Sequence, residues 1–172
     1  MYYQYPLEAL ARRKRAASQL DFARQARVAL QDTDELLARP LAAGLALFAA
    51  NEDALEEPAR ILRDIYGDFV ELRSPRVRLI PGEPEQEPLM AVRVTARAEH
   101  SGAVVGELRR RGARILEECH RGRVFVVRAE APLALLLGLP AAVRAITDGT
   151  ADPSIRLVRY APIEDQLGPG AA

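Results

Sequence analysis

The chain holds 172 residues, with 24 basic and 24 acidic side chains, one cysteine and no tryptophan. Hydrophobic residues make up 49%, enough to bury a core and too many for a globally disordered chain. The longest apolar runs, such as 45–50, are far too short to cross a bilayer. The lone Cys119 excludes an internal disulfide and a cysteine-based metal cage, and Arg12-Arg13-Lys14-Arg15 is not followed by the apolar stretch of a secretory signal. A soluble, cytoplasmic chain with no membrane partner is the expectation.

In chain order, Leu7 to about Arg27 has helical composition, with Leu7, Leu10, Ala11, Ala17, Leu20 and Ala23 near one face. Its basic segment, Arg12 to Arg15, reads first as a solvated helix face, with a grip on nucleic acid as the alternative. Residues 41–50 are apolar almost throughout, and periodicity does not separate a buried strand from a buried helix there. Asn51 or Asp53 is placed to cap a helix running from Ala54 to Tyr66, with Gly67 as its stop. Phe69–Leu72 and Val77–Ile80 alternate around Pro75 and predict an interrupted strand.

Residues 81–88 then read as a linker. From Ile80 to Pro88 there are three prolines, one glycine and three glutamates, with no apolar period. The break divides the charge. Residues 1–88 carry 12 basic and 15 acidic side chains, residues 89–172 carry 12 and 9, so the formal balances are −3 and +3. Of the cations 23 are arginine, a ratio read first as codon bias and second as a choice of forked groups for phosphate or carboxylate. The organisation expected is a smaller helical or α+β region over 1–80, a domain over 89–163, and a flexible tail over 164–172. No internal repeat survives residue-by-residue comparison of the halves.

Beyond the linker the rhythm is clearer. Met90–Arg97 alternates as a half-buried strand, and Ser101 opens a helix with Val104, Val105 and Leu108 that Gly112 closes. Arg114–Glu117 and Val124–Val127 are strands joined by a turn at Arg121-Gly122. Pro132–Ile146 is a helix interrupted at Gly138 and Pro140, and Ile155–Tyr160 is the last strand. The order β-α-β-β-α-β predicts an α+β fold, a ferredoxin-like sandwich with two helices on one face of four antiparallel strands.

Catalytic signatures are absent: the sequence has no Gly-x-x-x-x-Gly-Lys-Ser/Thr loop, no Gly-x-Ser-x-Gly and no His-Glu-x-x-His. Cys119 and His120 adjoin, but neighbours on a strand point to opposite faces and do not form a nucleophile–base pair. No catalytic, cofactor-binding or metal-ligating residue is assigned. The basic residues carry more. Arg109, Arg110 and Arg111 end the first helix of the second half, with Arg114, Arg121 and Arg123 in the hairpin after it. They suit either a phosphate-binding patch or a capped, solubilised helix end. Only Phe125 is available on the inner strands for base stacking, which argues against an RNA-recognition module.

The stretch Pro132-Leu133-Ala134-Leu135-Leu136-Leu137-Gly138-Leu139 resembles the last domain of the elongation factor G and elongation factor 2 family, where Pro-Leu-Ala-x-x-x-Gly-Tyr stands. The spacing continues through Arg144, Thr147 and Gly149 to Tyr160; upstream, Glu87-Pro88-Leu89-Met90-x-Val92 is similar to the family's Glu-Pro-Ile-Met-x-Val strand. Gly102, Val104, Gly106, Leu108 and Arg110-Arg111-Gly112 resemble its first helix and following turn. The departures are Leu139 for an aromatic residue, Thr150 for an arginine, Pro153 for an aromatic residue and Arg159 for a histidine. A sparser likeness links 54–80 to the closing helix and strand of the family's third domain, which would make 41–50 a strand.

The resemblance implies contact with the ribosomal stalk base and neighbouring ribosomal RNA. The function expected is a non-enzymatic ribosome- or RNA-associated accessory protein without the family's GTPase domain, binding through Arg109, Arg110, Arg111, Arg121 and Arg123. The alternative is a protein–protein interaction or regulatory module that kept the fold and not the ribosome. No cofactor is expected.

Overall fold

The computed structural model describes residues 3–163. The first unit runs β1 (Leu7–Arg13), α1 (Gln19–Val28), β2 (Leu36–Leu41), β3 (Gly44–Ala49), α2 (Glu56–Tyr66), β4 (Val70–Leu72) and β5 (Arg76–Val77). The second runs β6 (Gln86–Arg97), α3 (Ser101–Arg110), β7 (Arg114–Arg121), β8 (Val124–Pro132), α4 (Leu133–Leu136), α5 (Leu139–Ile146) and β9 (Asp152–Pro162). The strand orders are β2-β3-β1-β4 and β7-β8-β6-β9, with β5 also paired to β1. All pairings are antiparallel. Both units are therefore βαββαβ sandwiches of one topology, an α+β fold throughout. The repeat that residue comparison does not find exists as a repeat of strand order.

In the second unit, alternation along β6 turns Met90, Val92, Val94 and Ala96 inward and leaves Arg93 and Arg97 exposed. Phe125, Val127, Ala129 and Ala131 of β8 share that inner face, and Val104, Val105 and Leu108 of α3 close over it with Leu133, Leu136, Leu139 and Val143. Burying each large side chain is worth about 1.5–3 kcal/mol. The interrupted helix is two helices. Leu137 leaves helical conformation and Gly138 sits at φ +80° as the N-cap of α5, with Pro140 in its first turn, where its missing N–H has no helical partner to lose.

Several expectations are corrected. The helix predicted over Leu7–Arg27 starts only at Gln19; Leu7–Arg13 is a strand whose burial alternates, with Leu7, Ala9 and Ala11 inward. Good helix formers are extended there because β1 is the central strand, paired on both sides, and tertiary pairing overrides propensity. The segment Arg12–Arg15 thus ends a strand and turns, with Lys14 N–H donating to the Phe69 carbonyl at 2.7 Å. Residues 41–50 resolve into strand: Leu41 ends β2 and Gly44–Ala49 form β3. Phe69 lies in a short 3-10 turn before β4, not in the strand. Gln86–Pro88, read as linker, already pair with Ala161, Pro162 and Tyr160 of β9. The tail over 164–172 lies outside the described residues.

Other expectations match. Asn51 Oδ1 accepts the Ala54 N–H at 3.0 Å, and Gly67, at φ +56°, follows α2. The strand interrupted at Pro75 is β4 and β5, both on β1, but of the expected Val77–Ile80 only Val77 is in strand, Ile80 making an isolated bridge to Gln86. Among the described residues no helix is long and apolar enough to cross a membrane.

The units meet along a polar seam. Arg144 of α5 donates two hydrogen bonds to Asp53, at 3.1 and 2.8 Å. The Gly138 N–H donates to Glu52 at 2.8 Å, and Asn51 Nδ2 donates to the Ile155 carbonyl at 3.4 Å. The Tyr160 hydroxyl donates to the Tyr3 carbonyl at 2.9 Å, the two rings edge-on at 5.8 Å. Beside the seam opens a cleft of about 980 Å³ whose lining includes Asp34, Glu35, Asp53, Glu57 and Asp152.

Candidate nucleic-acid interface

α3 carries its arginines at the end its sequence dictates. Gly112, at φ +78°, lets the chain turn back after the helix, with its N–H on the Arg109 carbonyl and that of Ala113 on the Leu108 carbonyl. Arg109 is exposed and stands 3.7 Å from Glu118 of β7. Arg110 forks onto Glu107, with Nε and Nη2 at 3.0 and 2.7 Å from its two oxygens. Arg111 is a structural tie: its Nε donates to Glu107 at 2.7 Å, and its Nη1 donates to the Leu135 and Leu137 carbonyls at 3.3 and 2.7 Å. Its side chain is only 15% exposed. The Arg110 hydrogen bonds, then that of Arg111, hold the Glu107 carboxyl down to about 2.

Arg121 and Arg123 lie elsewhere. They flank Gly122 (φ +60°) at the tip of the β7–β8 hairpin, where the Arg123 carbonyl accepts the Ala98 N–H at 2.9 Å. Ala98 directly precedes α3, so this tip lies beside the start of that helix while Arg109–Arg111 lie at its far end. The eight residues of β7 separate the two groups, a span of roughly 20–25 Å at the strand rise. The five arginines thus form two clusters, one of them partly engaged in holding the fold. His120 packs on Phe125 with ring centres 4.7 Å apart, on the helix side of the sheet, while Cys119 pairs with Val126 on the other side.

The helix-free face of the second sheet carries cations that the sequence reading left unassigned. Register places them in rungs across the strands. Arg121, Val124 and Arg97 form one; Cys119, Val126, Thr95 and Asp152 a second; Glu117, Arg128, Arg93 and Ser154 a third; Arg114, Glu130, Ala91 and Arg156 a fourth. All six of these arginines are exposed. Arg114 pairs with Glu130 at 2.7 Å, Arg128 with Glu117 at 3.6 Å and Arg97 with Glu99 at 3.8 Å. Arg93, Arg121 and Arg156 have no carboxylate within 4 Å among the described residues. The signal was present in the sequence, since the polar positions of the Met90–Arg97 alternation are Arg93, Thr95 and Arg97. Among the described residues no group of three His, Cys, Asp or Glu side chains is arranged to hold a metal ion.

A βαββαβ sandwich defines the second unit as an α+β domain, and comparison with known proteins says what it is similar to. Residues 85–168 match the family described as Elongation factor G C-terminus. Elongation factor G 2 of Hahella chejuensis is 40% identical over 75 residues, covering 44% of this chain and 11% of that protein. Elongation factor G of Amoebophilus asiaticus is 37% identical over 81 residues, 47% of this chain and 11% of its own length. The crystal structure of ttk003000868 from Thermus thermophilus aligns with a TM-score of 0.69 at 17% identity, over 93% of this chain and 41% of that one. That alignment takes in both sandwiches and speaks for the fold. The second unit is a C-terminal domain of the elongation factor G family. The matched segment spans about a tenth of those relatives' length.

Proposed function

We propose that this chain is a non-enzymatic accessory protein of the cytoplasm that associates with the ribosome or its RNA. The observation that carries the reading is the match of residues 85–168 to the elongation factor G C-terminus, joined to a second sandwich in an arrangement that another solved structure shares. The sequence-derived contact set narrows on the fold. Arg109, Arg121 and Arg123 are exposed to phosphates, Arg110 is exposed but forked onto Glu107, and Arg111 serves by fixing α3 to the Leu135–Leu137 turn. Contacts of this kind release counterions and weaken steeply with salt.

Co-sedimentation with ribosomes and separated subunits across a salt series tests the reading. Arg109→Glu/Arg123→Glu is the informative variant, because it spares the pairing of Arg110 and Arg111 with Glu107. Salt-sensitive pelleting that the variant loses supports ribosome association; absence of pelleting at low salt defeats it. The acidic cleft beside the seam favours one other reading, a module that docks a basic protein segment between the units. A stoichiometric protein partner that survives nuclease treatment, with no ribosome binding, would favour that reading instead.

A further inference from the structure

We infer that the helix-free face of the second sheet is a sequence-independent docking surface for the phosphate backbone of single-stranded RNA. The inference rests on the RNA-binding half of the proposed function and moves its centre from the helix end to the sheet. Three observations carry it. Arg93 and Arg128 stand directly opposite on adjacent strands, where side chains lie about 4.5–5.5 Å apart and like charges destabilise the sheet. Only one of the two, Arg128, has a neighbouring carboxylate. An anionic ligand across the pair removes that repulsion.

Second, the cations without carboxylate partners, Arg121, Arg93 and Arg156, lie on three of four rungs of one face, with the rung of Cys119, Val126, Thr95 and Asp152 between the first two and with Arg156 at the rim of the cleft. They cross the sheet diagonally from β7 to β9, a track rather than a point. Third, the face offers little for protein docking or base stacking. Between the arginines stand Thr95, Ser154, Ala91 and Val126, and the six arginines of the face outnumber its carboxylates Glu117, Glu130 and Asp152, while Phe125 is fully buried on the opposite side. Guanidinium forks on a flat polar surface bind phosphates without reading bases.

Fluorescence anisotropy with a labelled uridine homopolymer tests this on the full chain. Three neutralised phosphates predict a log K against log salt slope of about −2 for a single strand. The triple variant Arg93→Gln/Arg121→Gln/Arg156→Gln should weaken binding at least ~10-fold at low salt and flatten that slope. Arg24→Gln/Arg60→Gln/Arg63→Gln, which removes equal charge from the first unit, should bind like the parent, and lysine at the three sheet positions should retain most of the affinity. Unchanged melting of the glutamine variant separates lost contact from lost fold. Retained binding by the sheet variant, or no binding by the parent, overturns the inference. Displacement by polyglutamate at equal charge also overturns it, in favour of an acidic protein partner. Ribosome pelleting, measured separately, reports on the broader reading, so either can fail alone.

Discussion

Glu107 shows how one side chain serves two ends. It lies in α3, accepts hydrogen bonds from Arg110 and Arg111, and through Arg111 links α3 to the carbonyls at Leu135 and Leu137. Its folded value of about 2 lies below the ordinary 4.5. The stabilisation is therefore complete above about 4.5 and is lost as pH falls toward 2. Glu107→Gln should cost about 1–3 kcal/mol at pH 7, read by urea unfolding, because it leaves two guanidinium groups without their anion. The gap between parent and variant should close on acidification through that window. Gly44 is a second such residue: at φ +141° a Cβ there would lie 2.4 Å from the Ala11 carbonyl oxygen, so a side chain would push apart the central strand and its hairpin neighbour.

At the scale of elements, what the sequence discloses depends on how many forces agree. The second unit was legible because period-2 alternation, a glycine stop and turn residues all point one way from Met90 to Val127. β1 was not, because Leu-Glu-Ala-Leu-Ala-Arg-Arg is composed of helix formers and only its pairing with β3 and β4 makes it a strand. The boundary did leave a local mark, since Ser18 Oγ accepts the Asp21 N–H at 3.2 Å and starts α1. Ser18→Ala should cost about 1 kcal/mol as a lost N-cap, visible as a lower melting temperature. Of the candidate site, the arginines of α3 and the hairpin were legible as residues. Their separation along β7, and the rungs that join Arg93 to Arg128, exist only once strands are in register.

For the whole molecule, the seam decides whether the two sandwiches act as one body. Its clearest charge pair is Arg144 with Asp53, each side chain 38% exposed, so solvent screens it and a coupling of about 1 kcal/mol is the reasonable scale. A double-mutant cycle with Arg144→Gln and Asp53→Asn should return that coupling in thermal or urea unfolding. A value near zero would mean that the apolar and backbone contacts of the seam hold the units without it. The two units share a strand order without sharing a residue pattern. A sandwich fixes which positions face inward, and many apolar residues satisfy that demand.

Tyr3 and Tyr160 touch, ring against ring and hydroxyl against carbonyl. The path from the first described strand to the last therefore closes on itself, leaving and returning at one spot on the surface. A unit so closed can be spliced into a loop of a larger polypeptide with little reach between its two joints, and it can be reopened at a turn such as Gly82 without cutting a strand. The contact of Tyr3 with Tyr160 is the feature that would let the double sandwich sit as an insert within another chain.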